Sequence, residues 1–136
     1  SVDLISSQIS SIPELRKLTI LIQRNFIKLN NNASRLIIAE GRDMGTVIFP
    51  KAEIKIFLWA KAEIRAQRRY LQVKNVRKSN KYNDILDEIV IRDMRDMSRK
   101  IAPLQPAEDS YLIDNSNLDI EQCFNRILKI IKKLKH

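Results

Sequence analysis

At 136 residues the chain is long enough for one modest hydrophobic core and short for two domains. Apolar residues make up 44% and charged residues 30%, an ordinary globular balance, and no stretch approaches the roughly 18 uninterrupted apolar residues of a membrane-spanning helix. A net charge of +9, from 25 Lys and Arg against 16 Asp and Glu, calls for an anionic partner; composition leaves nucleic acid, an acidic membrane surface and phosphorylated small molecules all open.

The opening SVDLISSQIS has neither a basic lead nor an apolar block, so no secretory signal is expected. Cys123 is the sole cysteine, which excludes an intramolecular disulfide framework and fits a reducing cytoplasm. Pro13 suits the first turn of a helix, with Ser11 as its cap. Leu15, Leu18, Ile22, Phe26 and Leu29 then recur at three- and four-residue steps, and Asn30-Asn31-Asn32 ends the segment. Leu36-Ile37-Ile38-Ala39, an apolar run meeting a glycine turn, predicts a buried parallel strand, and Ile54 to Trp59 predicts a second.

Further along, Lys61 to Lys74 reads as an arginine-bearing helix and Val76 to Asn83 as a polar, basic connector. Asp84 to Arg99 predicts a helix burying Ile85 and Ile89, and Tyr111-Leu112-Ile113 a third strand. Asp119 starts a last helix whose Ile120, Cys123, Phe124, Ile127, Ile131 and Leu134 form an apolar stripe. Strands alternating with helices imply an α/β fold with a parallel sheet and right-handed crossovers.

The chain has two glycines, Gly41 and Gly45, both in one five-residue stretch, where they would permit unusual backbone geometry and close ligand approach. Between them, Arg42 offers a fork that can grip phosphate and Asp43 an acceptor, as suits a ligand with an anionic end and a donor-bearing end. The same triplet also fits a solvated turn with an internal ion pair. Arg92, Asp96 and Arg99, at i, i+4 and i+7, share a helix face that could hold a ribose phosphate or simply carry surface ion pairs. Arg65, Arg68 and Arg69 form either a basic solvent face or a lid that brings charge to a transferring phosphoryl group.

Taken in order, these pieces resemble the cytidylate kinase family, the CMP and dCMP kinases. The resemblance rests on Ser6-Ser7-Gln8, on Ala39-Glu40-Gly41-Arg42-Asp43-Met44-Gly45-Thr46-Val47-Ile48-Phe49-Pro50 and on Lys55-Ile56-Phe57-Leu58. It continues through Arg65-Ala66-Gln67-Arg68-Arg69-Tyr70-Leu71-Gln72, Arg92-Asp93, Asp96, Arg99, Pro103-Leu104, Pro106-Ala107 and Asp109. It implies a P-loop nucleoside-monophosphate kinase fold, a parallel sheet flanked by helices. The implied reaction moves the γ-phosphoryl group of ATP, with Mg²⁺, to CMP or dCMP. Ser7, Arg16 and Asp43 then correspond to positions reading the cytosine ring, and Arg42 to one gripping the acceptor phosphate. Arg92, Asp96 and Arg99 correspond to the sugar- and phosphate-handling helix, Asp96 on the pentose, and Arg65, Arg68 and Arg69 to the lid. Cytosine's amine donates to Asp43, whereas uracil would present a carbonyl there. No protein ligand for a resident metal is implied.

Some residues depart from the family pattern. Glu40 replaces an Asp, Trp59 a small or polar residue and Ile64 a lid glutamate, while Asn30 to Ser34 read as a small insertion. The family begins with a strand running into Gly-x-x-x-x-Gly-Lys followed by Ser or Thr, the loop that cradles ATP phosphates, and these 136 residues hold no such motif. The sequence is therefore read as a truncated C-terminal part: residues 1–136 form one partial kinase domain, 1–34 join the CMP-binding region, and 61–82 form the lid and connector. The absent first strand would lie between the strands at Leu36 and Ile54, leaving apolar edges unpaired and a separate P-loop segment as partner. The remaining alternatives are a remnant that only binds CMP and a basic nucleic-acid-binding module. An aromatic content of 6%, with no stacking platform or zinc spacing, speaks against the latter, and no membrane partner is expected. His136 and Cys123 are assigned no chemistry.

Overall fold

The structure is a computed structural model that describes residues 12–30, 36–73 and 81–134. Helix α1 (Pro13–Asn30) starts at its proline, and Asn30 Nδ2 donates 2.8 Å to the carbonyl of Phe26, satisfying a last-turn acceptor. Ser11 lies outside the described residues. No residue of α1 is buried, and its periodic Leu18, Ile22, Phe26 and Leu29 face outward. Its links to the following loop are polar, made by Arg16 and Arg24.

The expected strand at Leu36 to Ala39 is not one. Residues 36–40 take no regular structure, and Ile38 is 82% exposed. A strand exists through its ladder, and among the described residues only two strands pair, each with the other. Beyond this segment the chain winds into one π-type turn (Met44–Ile48), with the Asp43 carbonyl accepting from the amides of Val47 (2.9 Å) and Ile48 (3.1 Å).

Strand β1 (Ile56–Trp59) runs parallel to β2 (Tyr111–Asp114), with Ile56 opposite Tyr111 and Trp59 opposite Asp114. Tyr111 N donates to Lys55 O and Asn115 N to Trp59 O, so pairing extends one residue past each end of the strands. Two helices fill the crossover that a parallel pair requires: α2 (Ala62–Val73) and α3 (Tyr82–Met97). They pack against each other around Ala66 and Ile85, with the Tyr70 and Tyr82 rings edge to face at 6.4 Å. The buried apolar residues are Ile48, Ala60, Ala66, Ile85 and Ile113, a small core among the described residues.

Helix α3 begins at Tyr82 and absorbs Tyr82 and Asn83 from the expected connector, whose residues 76–80 lie outside the described residues. It ends two residues short of Arg99: Ser98 N donates to Met94 O, and Ala102 then takes a positive φ of 51° as the chain turns back. Helix α4 (Ile120–Leu134) opens on a reciprocal cap. Gln122 N donates 2.7 Å to Asp119 Oδ1, and Asp119 N donates 3.1 Å to Gln122 Oε1. Of the apolar stripe expected on α4, Ile120 and Phe124 are exposed, while Cys123 and Ile127 are half-buried. Among the described residues no helix is long and apolar enough to cross a membrane.

Candidate functional site

Asp96 lies in the last turn of α3 with its side chain 2% exposed. Arg42, delivered by the loop before the π-type turn, places Nη1 2.7 Å from Asp96 Oδ2. Arg99, in the turn after α3, pairs with Oδ1, and Arg92 Nε stands 3.9 Å from Oδ2 one helical turn back. The expected shared helix face therefore accounts for Arg92 and Asp96, whereas Arg99 reaches the cluster by folding back beyond the helix end. Burial pushes the Arg42 guanidinium below its ordinary pKa. Asp96 opposes that shift, and neighbouring Arg92 and Arg99 add to it.

Three guanidiniums surround one carboxylate, leaving a local surplus of two positive charges. Arg42 and Arg92 are partly open to solvent, so an incoming anion can reach them. Asp96 itself is occupied by arginines.

Next to Arg42, Asp43 pairs with Arg16 of α1, their side chains 13% and 11% exposed. The loop thus presents two adjacent residues to two different partners: Arg42 to the Asp96 cluster, Asp43 to α1. Neither glycine of this loop has a positive φ. Gly45 serves packing instead, because a Cβ there would lie 3.3 Å from Cδ of Lys55. Ser7 lies outside the described residues.

The arginines of α2 diverge. Arg65 Nε donates 2.9 Å to Ala60 O, just past β1, and its fork grips Asp93 of α3 at 3.1 and 2.5 Å. Arg68 donates to Asn115 Oδ1 and to the carbonyls of Asn115 and Leu118, just past β2. Arg69 is exposed. Arg65 and Arg68 therefore stand at the carboxyl end of the parallel pair, the edge where α/β sheets take ligands. Helix α3 connects that edge to the Asp96 cluster, because Asp93 and Asp96 lie three residues apart on it.

Sequence reasoning missed several contributors. Lys55, buried, donates to Pro50 O (2.5 Å) and to both oxygens of Asp109 (2.8 and 2.7 Å). A lysine inside an apolar run was the available signal. Arg24 donates to the carbonyls of Ile48 and Val47 at 2.8 Å each; nothing in its sequence spacing marks it. Ser116 Oγ, buried past β2, accepts from Lys61 N.

Among the described residues no three His, Cys, Asp or Glu side chains converge as a metal cage. These residues do not by themselves fit a Mg²⁺ site.

A family model described as cytidylate kinase matches residues 1–133. The cytidylate kinase of Pasteurella multocida is 44% identical over 128 residues, 94% of this chain and 54% of that protein. Those of Pseudomonas savastanoi pv. phaseolicola and Caldicellulosiruptor saccharolyticus are 47% and 42% identical, over 93% and 98% of this chain and 53% and 57% of theirs. The chain spans about half the length of the curated relatives it matches.

Proposed function

The chain belongs to the cytidylate kinase family, and from that premise we propose that it carries the nucleoside-monophosphate site for phosphoryl transfer from ATP to CMP or dCMP. The observation that carries this reading is the Asp96 cluster. Its surplus of two positive charges complements a phosphate monoester, which bears about −1.5 to −2 at neutral pH. Arg42, Arg92 and Arg99 take the phosphate, and Asp96, released as they turn to it, accepts from the pentose hydroxyls.

The adjacent pair reads the base. Asp43 accepts from the exocyclic amine of cytosine while Arg16 donates to ring acceptors, with Ser7 as the third contact. Uracil offers Asp43 a carbonyl, so the wrong base sets acceptor against acceptor and forfeits the hydrogen bond from the amine. Arg65, Arg68 and Arg69, in the lid and connector of residues 61–82, then stabilise charge on the transferred group. For Arg65 and Arg68 this requires exchanging their contacts to Asp93 and to the Asn115 to Leu118 loop for phosphate oxygens. In the complete kinase that the family implies, a Gly-x-x-x-x-Gly-Lys loop holds ATP with its Mg²⁺, in the cytoplasm.

Calorimetric titration tests the acceptor site. CMP binds, UMP binds at least tenfold more weakly on the scale of polar-site discrimination, and Arg42→Ala removes binding of both. A folded chain indifferent to CMP refutes the reading. Adding a separately produced P-loop segment should restore ATP-dependent CDP formation; CMP binding without any CDP would leave a nucleotide-binding role alone.

A further inference from the structure

Lys55 has no part in the chemistry proposed above, yet its environment is unusual for a lysine. Its side chain is 7% exposed, and its Nζ satisfies three oxygens on two segments: Pro50 O and both oxygens of Asp109. Its aliphatic stem lies over Gly45, the position in the turn where a Cβ would crowd it. Pro50 closes the loop that begins at Arg42, and Asp109 lies two residues before β2. A single side chain therefore ties the end of that loop and the middle of its turn to the start of the parallel pair.

The other end of the turn is Asp43, whose carbonyl receives the amides of Val47 and Ile48. Any slackening of the turn moves Asp43 and Arg42 with it. We propose that Lys55, anchored by Asp109, is a positioning residue that sets the height and angle of the base-reading loop. This rests on the assignment of Asp43 to cytosine.

The arrangement suits such a role. Asp109 is 65% exposed, so losing the lysine strands no buried carboxylate. What Lys55 adds is direction: two fixed anchors and a stem packed on the turn.

Lys55→Met keeps the stem and removes the ammonium, while Asp109→Asn keeps shape and weakens the anchor. Amide hydrogen exchange is followed at Val47 and Ile48 in the turn and at Leu58 and Ile113 in the sheet, with CMP and UMP titrations alongside. Both variants should speed exchange in the turn by about tenfold or more while the sheet amides hold. CMP affinity should fall about tenfold, with the CMP-to-UMP preference shrinking, as expected for a misplaced contact. The double variant should be no worse than Lys55→Met alone, because both act through one anchor. Turn amides at the wild-type rate in both variants overturn the proposal, as does unchanged CMP affinity in a chain that binds CMP. A wild-type chain that fails to bind CMP removes the functional assignment only, and exchange still decides the brace. Should Lys55→Met not fold, Asp109→Asn decides the question through the same readouts.

Discussion

At Asp96 the electrostatics are those of a set rather than of pairs. With the carboxylate gone, the partly desolvated charges of Arg42, Arg92 and Arg99 lose the acceptor they share. Asp96→Asn should therefore cost about 3 kcal/mol of stability, the range found when one partner of a buried ion pair is removed. Urea unfolding measures it, and inorganic phosphate should recover more stability in the variant than in the wild type, because it replaces the missing charge. Asp109 makes a different prediction, about pH. Its hydrogen bonds from Lys55 hold the carboxyl below its ordinary value. That contribution is present above the unfolded-state pKa, ~3.9, and is lost as pH falls through the lower folded value. Acid titration of stability should thus be shallower below pH ~4 in Asp109→Asn than in the wild type. The residues with recognisable chemistry, Arg42, Asp43, Arg92, Asp96 and Arg99, were legible because charged groups at helical or loop spacing stand out. Arg24 was not, since what it holds is backbone carbonyl, which leaves no trace in side-chain identity, and Lys55 showed only as a lysine inside an apolar run.

Among the elements, the four helices of the described residues followed from periodicity and from caps such as Pro13 and Asp119, with ends shifted by a residue or two. Leu36 to Ala39 shows why strands are harder to read. An apolar run states what it would bury, not whether a neighbouring strand is there to bond it. The turn after α3 was likewise invisible, although it carries Arg99 back to Asp96. Ala102 at φ 51° holds a conformation that disfavours a side chain by about 1–2 kcal/mol. Gly there relieves that strain but loosens the unfolded chain by about 0.4–1 kcal/mol. Ala102→Gly should therefore raise stability by about 0.5–1 kcal/mol, read as a higher melting temperature. Asp119→Ala removes one half of the reciprocal cap on α4 and should cost about 1 kcal/mol by the same measurement.

On the scale of the molecule, charge and apolar surface act separately. The +9 excess steers anions toward the arginine cluster through solvent, so CMP affinity should weaken severalfold as salt rises from ~0.05 to ~0.3 M and the Debye length shrinks. Titrations across that range, with the net-neutral nucleoside cytidine as the insensitive control, check it. The expectation that a parallel α/β arrangement organises the chain holds for β1, β2 and the helical crossover between them. Periodicity correctly placed an apolar stripe on α1 but could not say that this stripe faces outward, because which surface a helix buries depends on what packs against it.

Trp59, the last residue of β1, is the only tryptophan in the chain and is 44% exposed. Its carbonyl takes the amide of Asn115, whose side chain holds Arg68, and the next residue, Ala60, holds Arg65. The indole thus sits at the junction of both arginine anchors, a fluorophore the molecule already owns. A shift in its emission as α2 lets go of Ala60 or Asn115 would make the arginine exchange proposed for that helix visible without any label.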